Sequence, residues 1–208
     1  MKLAETLAYA VLSFTVQSVF LTGVAPDLSP ENVWLRWRDG GIDAVALAVA
    51  DVSPADEDLD EWLATRVAAT LGPLLGGIRA LSRTGLVTLW GRVADVVHVQ
   101  MLRAAKDLGY DTRAAWQRAE ELTDAISAVV PRLRIRPRPF PVRAVDQAGD
   151  DWDGIWPVFG TCCFLYKARP DIRQCNVCPL RSDQGRCFDW PRELPPAPPV
   201  AAEQAEAS

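Results

Sequence analysis

The chain is poor in the side chains on which most hydrolytic sites are built. It has one histidine, His98, among 208 residues. One histidine cannot form a metal-binding histidine pair, and no Ser-His-Asp set can be assembled around it from the sequence pattern. Hydrolytic chemistry of either kind is therefore disfavoured. Sites built from carboxylates alone stay open. We expect His98 itself to be a packed or surface residue of a helix.

A dinucleotide-binding fingerprint is also missing. Gly72, Gly76 and Gly77 do not have the spacing of the glycine-rich turn that follows a strand in such sites. The net charge of -5 argues against general nucleic-acid binding, which usually shows as a basic domain. We therefore predict that the protein does not take hydride from NADPH by itself and has no nucleic-acid partner.

An uninterrupted apolar run long enough for a clean membrane span is lacking as well. Residues 3–22 are mostly apolar, but Glu5 and Gln17 interrupt them. A signal peptide is the alternative, because Lys2 precedes the run and residues 23–25 loosely resemble a cleavage site. We expect a buried first helix, no transmembrane segment and a cytoplasmic protein that could also associate peripherally with a membrane. The inner face of that helix would carry Leu3, Leu7, Val11 and Phe14.

A hairpin is predicted after the first helix. Residues 33–38 and 42–50 flank Asp39-Gly40-Gly41, which combines alternating strands with turn residues. The second arm is rich in alanine and could instead be helical. Trp34 and Trp37 lie on opposite faces of the first arm, and although one could be exposed, we expect both to cover the core.

Three helices are predicted to follow the hairpin. Ser53-Pro54-Ala55-Asp56 would open the first, which ends near Leu71 because Gly72-Pro73 and Gly76-Gly77 break the chain. The second spans residues 86–108, and Gly109 stops it. Asp111-Thr112 caps the third, which runs over residues 113–129. The inner stripe of the second helix would carry Leu89, Val93, Val96 or Val97, Gln100 and Ala104.

Residues 131–143 alternate basic residues with apolar residues and proline. Their prolines exclude a helix and favour an extended linker or an edge strand. Period-two alternation would place four arginines on one face. These are Arg132, Arg134, Arg136 and Arg138. They could serve in docking or simply deter edge-to-edge aggregation.

The five cysteines are absent from the first three quarters of the chain and are confined to the last quarter. Cys162 and Cys163 are adjacent. Eleven residues separate Cys163 from a Cys-x-x-Cys formed by Cys175 and Cys178, and Cys187 follows. An odd number of cysteines in a chain long enough to bury a core argues against a disulfide framework. Four thiols this close in sequence can converge on one inorganic centre.

Spacing separates two kinds of centre. A four-cysteine zinc site is normally built from two Cys-x2-4-Cys knuckles, and only Cys175 and Cys178 form one. Adjacent side chains on an extended chain point in opposite directions. The sulfurs of Cys162 and Cys163 therefore reach one site only if the backbone bends or the site is wider than one ion, as a two-iron cluster is. The pattern favours an iron-sulfur centre and leaves zinc open.

Thr161-Cys162-Cys163-Phe164-Leu165-Tyr166, with the later Cys-Asn-Val-Cys-Pro-Leu of residues 175–180, resembles a known motif. It is similar to the C-terminal motif of the FhuF-type siderophore-iron reductases, in which a Cys-Cys pair and a Cys-x-x-Cys hold a 2Fe-2S cluster. The match covers about residues 160–180. The spacer is one residue longer than expected, Phe159-Gly160 replaces basic residues before the pair, and Asn176 replaces a common glycine. A one-residue loop insertion costs little entropy.

The resemblance implies a function and a set of ligands. Cys162, Cys163, Cys175 and Cys178 would hold a 2Fe-2S cluster that passes one electron to a ferric siderophore, of hydroxamate type, and releases ferrous iron. A ferredoxin or flavin reductase would supply the electrons. We expect Cys187 to be a spare thiol, and the alternative is that it replaces one of the adjacent pair as a ligand. Two other functions stay open: an electron-transfer accessory protein for another enzyme, and a zinc-stabilised interaction module.

The residues around these cysteines are mostly basic. Cations near an anionic cluster would favour its reduced form and attract an acidic donor, unless solvent screens them. The basic residues are Lys167, Arg169, Arg173, Arg181 and Arg186, against Asp171 and Asp183.

The predicted fold class is α+β, a helical body packed on a small antiparallel sheet, with a C-terminal cysteine-rich 2Fe-2S module. We divide the chain into a helical and hairpin body over residues 1–130, a basic proline-rich linker over 131–145 and a cluster-binding module over 146–190. Residues 191–208, rich in Pro, Ala and Glu, would form a disordered tail.

Overall fold

The computed structural model describes residues 2–38, 41–47, 52–53, 58–145, 151–169, 171, 173–184 and 186. In this part of the chain the fold is α+β, with five helices and two small antiparallel sheets, which confirms the predicted class. The predicted single sheet is instead two separate two-stranded hairpins. In chain order the elements are α1 (Lys2–Thr22), β1 (Val33–Arg38), β2 (Gly41–Leu47), α2 (Leu59–Leu81), α3 (Leu86–Asp107), α4 (Thr112–Val129), β3 (Arg138–Val145), β4 (Asp151–Val158) and α5 (Leu165–Ala168).

The helix at the centre of the molecule is α3. Every residue from Leu89 to Leu102 is buried, and α1, α4 and β4 all contact the helix. The predicted inner stripe is confirmed, and the helix ends at a glycine with positive φ, Gly109 at +73°. Helices surrounded on all sides are normally apolar throughout. Here Arg92, Asp95 and His98 are exceptions, none of them more than 2% exposed.

His98 is a packed residue, as predicted. Its Nδ1 lies 2.9 Å from the carbonyl oxygen of Ala94, and its Nε2 lies 3.1 Å from a carboxylate oxygen of Glu120. The ring centroids of His98 and Trp116 are 4.5 Å apart. Both ring nitrogens are therefore engaged between α3 and α4, and the hydrogen bond from His98 is the largest of the effects that lower the pKa of Glu120.

One face of α1 lies in the core. Its buried residues recur at intervals of three or four, among them Ala4, Ala8, Leu12 and Val16 together with the predicted Leu7 and Val11. The predictions for Leu3 and Phe14 are wrong: these side chains are 38% and 65% exposed, because they lie outside that stripe. By length and hydropathy alone, Leu3–Thr22 could also cross a membrane, a test that buried helices of soluble proteins and signal sequences pass as well.

The second long helix differs from its prediction at both ends. It begins at Leu59, where the Asp58 carboxylate accepts the N–H groups of residues 60 and 61 at 3.0 Å. Of the predicted start at Ser53-Pro54-Ala55-Asp56, only Ser53 lies within the described residues. The predicted break at Gly72-Pro73 and Gly76-Gly77 is wrong, since the helix continues to Leu81. Leu71 and Leu75 are fully buried, and that burial holds the helix together through its weak turns. The α4 prediction is confirmed, with Asp111 accepting from Arg113 N at 2.9 Å.

The first hairpin forms as predicted. β1 pairs antiparallel with β2, with a register shift between Arg36 and Trp37. Residues 48–50 of the predicted second arm lie outside the described part. The expectation that both tryptophans cover the core is wrong, because Trp34 and Trp37 are 55% and 56% exposed. Val33 and Leu35 contact the core instead, as expected when only one face of a ribbon has a partner.

Part of the predicted linker is an edge strand. β3 pairs antiparallel with β4, a strand that was not predicted, and Phe140 and Val142 of β3 are buried. Two arginines of the predicted row, Arg136 and Arg138, have specific acidic partners. Arg136 pairs with Asp124 of α4 at 2.6 Å, and Arg138 pairs with Asp183. The second hairpin thereby lies between α4 and the cysteine-rich segment.

Candidate metal centre

The chain leaves β4 and crosses α3 just before the adjacent cysteines. There the Asp95 carboxylate accepts three hydrogen bonds: from Gly160 N at 2.7 Å, from Thr161 N at 3.3 Å and from Thr161 Oγ1 at 2.5 Å. All three donors belong to the two residues that precede Cys162. A carboxylate of the central helix therefore fixes the backbone from which the Cys-Cys pair begins.

Arg92 holds the same backbone from its other side. One guanidinium nitrogen donates to the carbonyl oxygen of Thr161 at 3.1 Å, and another lies 3.5 Å from Asp95 Oδ2. Burial raises the pKa of Asp95 to about 6, although Arg92 and the hydrogen bonds from residues 160 and 161 act in the opposite direction. Arg92 Nε is buried and has no hydrogen-bond partner among the described residues. This cation thus retains unused donor capacity.

Two glycines permit this close contact. A Cβ on Gly160 would lie 2.5 Å from the carbonyl oxygen of Arg136, and a Cβ on Gly91 would lie 2.7 Å from Thr161 Cγ2. Ile135 approaches both positions. Gly160 is one of the positions at which the sequence departs from the FhuF-type motif. Here its lack of a side chain lets the backbone approach within contact distance of α3 and the β3 entry.

Beyond the pair the backbone makes an unusual turn. Phe164 has φ of +55° and is the non-glycine residue with positive φ in the described part of the chain. Its N–H points at Cys162 Sγ, 3.4 Å away. Amide hydrogen bonds to sulfur are a feature of iron-sulfur sites, where they stabilise the charge on the thiolate.

The Cys-x-x-Cys is held from inside by Arg186. This side chain is fully buried and donates to the carbonyl oxygens of Asn176, Cys178 and Arg181, the last two at 3.0 and 2.6 Å. Phe159 N donates to the carbonyl oxygen of Val177 at 2.8 Å, which attaches the turn to the end of β4. The two cysteine segments are therefore fixed to each other by main-chain contacts.

All four predicted cysteines line one cavity of about 600 Å³. The sulfurs of Cys162 and Cys178 are 3.7 Å apart. Cys178 is buried, Cys162 and Cys163 are half-buried, and Cys175 is exposed at its surface. Partial burial of the thiol, followed by the charges of the other three cysteines, raises the pKa of Cys175 to about 12. Burial also raises the pKa of Cys162. Ionising this group of thiols is therefore costly unless a cation offsets the charge.

The cysteines suit a sulfur-ligated centre in donor type and, for one pair, in spacing. A tetrahedral ion with bonds of about 2.3 Å holds its sulfur ligands about 3.8 Å apart, which the 3.7 Å between Cys162 and Cys178 approaches. In the described residues, no three His, Cys, Asp or Glu side chains are close enough to hold one ion. Thiolates are soft ligands that select iron-sulfur clusters and zinc over hard cations. The four thiols in one cavity, with a spare donor on Arg92 in its lining, therefore suit an anionic thiolate centre in ligand type, whereas only the Cys162–Cys178 pair has the spacing of such a centre.

The basic residues predicted around the centre do not behave alike. Arg186 is buried and holds the backbone of the turn. The Arg169 side chain is 60% exposed, and its guanidinium lies 2.8 Å from a carboxylate oxygen of Asp171 at the surface. Cys187 lies outside the described residues. Sequence reasoning missed Arg92 and Asp95, the groups that hold the Cys-Cys pair. The sequence marks them only as two opposite charges, three residues apart, within the otherwise apolar stretch of residues 89–97, and that pattern does not say what they contact.

Comparison with known proteins adds no family assignment. No family model, curated protein or solved structure matches this chain. The resemblance to the FhuF-type reductases therefore depends on the motif of about residues 160–180 alone.

Proposed function

We propose that this protein is a cytoplasmic siderophore-iron reductase. Cys162, Cys163, Cys175 and Cys178 would hold a 2Fe-2S cluster, and single electrons would pass from it to a ferric siderophore of hydroxamate type. The observation that supports this most is that all four thiols, which come from two separate segments, line one cavity. The residue pattern of the FhuF-type motif supports the choice of cluster over zinc.

A bound 2Fe-2S cluster would supply transfer of one electron at a time. That matches the change from ferric to ferrous iron. Ferric iron is a hard, highly charged ion that anionic oxygen ligands hold tightly, and ferrous iron is held less tightly because it carries less charge. One added electron therefore weakens the chelate enough for the metal to leave. A ferredoxin-like or flavin-dependent donor would replace that electron.

The chain's own residues would position and tune the centre. Arg92 and Asp95 fix the backbone before Cys162, and Arg186 fixes the turn that carries Cys178. Arg92 is also a buried cation in the same cavity wall as the thiols. A fixed positive charge in a site of low dielectric stabilises added negative charge, so it would favour reduction. Phe164 N would stabilise the Cys162 thiolate.

The test starts from protein purified without oxygen. We expect iron and acid-labile sulfide in equal amounts, a visible absorption spectrum and a paramagnetic signal on reduction. Replacing any one of the four cysteines with serine should abolish or alter these signals, whereas Cys187→Ser, the matched control, should keep them. Zinc without sulfide would reject both redox functions and leave the interaction module.

Reduction of the substrate is tested on the same preparation. Anaerobically reduced protein should be reoxidised when a ferric trihydroxamate is added, and a ferrous chelator should then trap the released iron. A cluster that stays reduced with several ferric chelates would instead indicate an electron-transfer accessory protein. Rapid reduction of the isolated protein by NADPH would contradict the external donor.

A further inference from the structure

The cavity beside the cysteines has a second wall that the cluster ligands do not form. Tyr9 of α1 and Val99 and Arg103 of α3 line it, together with Glu5 and Asp107. The cavity volume of about 600 Å³ falls within the range of about 300–1,000 Å³ typical of small-molecule sites. This volume is that of the whole cavity, including the space between the four thiols, so it is the cavity as a whole that is in the size range of ligand-binding sites.

This second wall combines an aromatic surface with hydrogen-bond donors. The Arg103 guanidinium lies over the ring of Tyr9, 5.9 Å from its centroid. Burial raises the pKa of Tyr9, so its phenol stays protonated and can donate at neutral pH. Arginine and phenol donors suit a ligand that presents oxygen atoms bearing partial negative charge. Val99 adds apolar surface beside them.

The charges that line the cavity favour a ligand of low net charge. Arg92 and Arg103 are balanced by Glu5 and Asp107, so the ionised side chains of the lining sum to zero, apart from the thiols. A strongly anionic ligand would be repelled by both carboxylates and by thiolates. A ferric trihydroxamate carries three anionic oxygen pairs on a trivalent ion, so the complex is neutral at its metal centre and meets neither penalty.

We infer that the Tyr9–Arg103 wall of this cavity is the docking site for the ferric trihydroxamate, an inference that rests on the proposed function. Tyr9 and Arg103 contact the oxygen atoms of the chelate, and the thiols line the same cavity. The chelated iron is thereby placed next to the centre that supplies its electron. A bound, reduced 2Fe-2S cluster would give one electron to the ferric ion, so the cluster would be oxidised, the iron would become ferrous, and no covalent bond would form or break.

Binding is measured apart from reduction with a gallium trihydroxamate, because gallium has the charge of ferric iron and is not reduced. The probe is titrated into anaerobically purified full-length protein by calorimetry. Arg103→Glu, at an exposed position, places a carboxylate against the chelate oxygens and should weaken binding at least tenfold. Arg132→Glu makes the same change of charge at an exposed residue that does not line the cavity, and it should bind as the wild type does.

A second variant tests shape rather than charge. Tyr9→Ala should weaken binding of the gallium chelate, and Tyr9→Phe should restore most of the affinity if the ring forms the wall. The absorption spectrum of each variant, measured before titration, shows whether the cysteine site is intact. Loss of binding in Arg103→Glu with an unchanged spectrum supports the docking site.

The two proposals fail in different ways. If Arg103→Glu binds the gallium chelate as tightly as the wild type, the docking site is wrong, even where ferric chelate still reoxidises the protein. Absence of gallium chelate binding to the wild type at millimolar concentration overturns it as well. If the gallium chelate binds and depends on Arg103 but ferric chelate causes no reoxidation, the docking site stands and the reductase function does not.

Discussion

Asp95 makes the stability of the fold depend on pH. In the folded chain its pKa is raised to about 6, whereas an unfolded aspartate has a pKa of about 3.9. The folded state therefore binds this proton more tightly than the unfolded state. The contribution of Asp95 to stability is full below about pH 4 and is lost as the pH rises through 6.

Asp95→Asn removes that titration. Between pH 4.5 and 7.5, the free energy of unfolding of the wild type relative to the variant should fall by about 2 kcal/mol, as linkage from these two pKa values requires. Urea unfolding at several pH values measures the difference. Asp124→Asn, at a side chain 71% exposed, is the control. Parallel pH profiles of wild type and Asp95→Asn would contradict the prediction.

Arg186 offers a second test at the scale of one residue. Arg186→Ala leaves the carbonyl oxygens of residues 176, 178 and 181 without their donor in a buried site, so we expect a loss of about 2–4 kcal/mol. Hydrogen exchange should show the loss at residues 175–181. Arg169→Ala removes only a surface ion pair, which solvent screens, and should leave the stability nearly unchanged. Equal effects of the two changes would show that Arg186 does not hold the turn.

The cysteines could be found from the sequence, whereas the groups that position them could not. Spacing alone marks Cys162, Cys163, Cys175 and Cys178 as a set, because it is a local pattern. The hydrogen bond from Arg92 to Thr161 joins residues 69 positions apart, and the one from Gly160 to Asp95 joins residues 65 apart. Contacts at such separations depend on the whole fold, so no local pattern specifies them.

At the scale of elements, two helical glycines differ in what a side chain would meet. A Cβ at Gly76 of α2 has nothing within 4 Å, whereas one at Gly91 of α3 would lie 2.7 Å from Thr161 Cγ2. Gly76→Ala should stabilise the protein by about 0.5–1 kcal/mol, because alanine favours a helix. Gly91→Ala should destabilise it by about 1–3 kcal/mol through overpacking. Thermal unfolding measures both, and a gain in stability for Gly91→Ala would mean that the cysteine loop does not lie on α3.

Element boundaries were predictable where local signals agree with burial. Gly109 was predicted to mark the end of α3 and Asp111 the start of α4, and both predictions are confirmed. Gly and Pro inside α2 carry local penalties of about 1 and 3 kcal/mol, which the burial of one helix face offsets. β4 was not predicted because Gly154 and Pro157 interrupt its pattern.

On the scale of the whole molecule, the apolar helix α1 could be a core element or a membrane-associated segment, and its two faces allow a test. Leu12 is 1% exposed in the core, and Phe14 of the same helix is 65% exposed. Leu12→Asp should cost more than about 4 kcal/mol and give insoluble protein, since it buries an unpaired charge. Phe14→Asp should stay folded and soluble. Solubility and circular dichroism measure the effect of each change. If the protein tolerates both changes equally, α1 does not pack in the core.

The fold class was predictable from the order of elements, but their grouping was not. Three successive helices that follow a hairpin indicate an α+β fold. The strands form two separate hairpins, β1 with β2 and β3 with β4. This grouping depends on which strands pair and on which strand faces pack against other elements. The exposed Trp34 and Trp37 illustrate this, because their hydrophobicity predicts burial and the partner surface is absent from the described part of the chain.

The contact between α3 and residues 160–161 limits how far the cysteine segment is self-contained. Gly91 leaves room for Thr161, while Arg92 and Asp95 hold its backbone. A peptide cut from residues 146–190 would leave these three positions behind. Anyone grafting the cysteine segment onto a foreign scaffold would need to transplant a matching turn of helix with it.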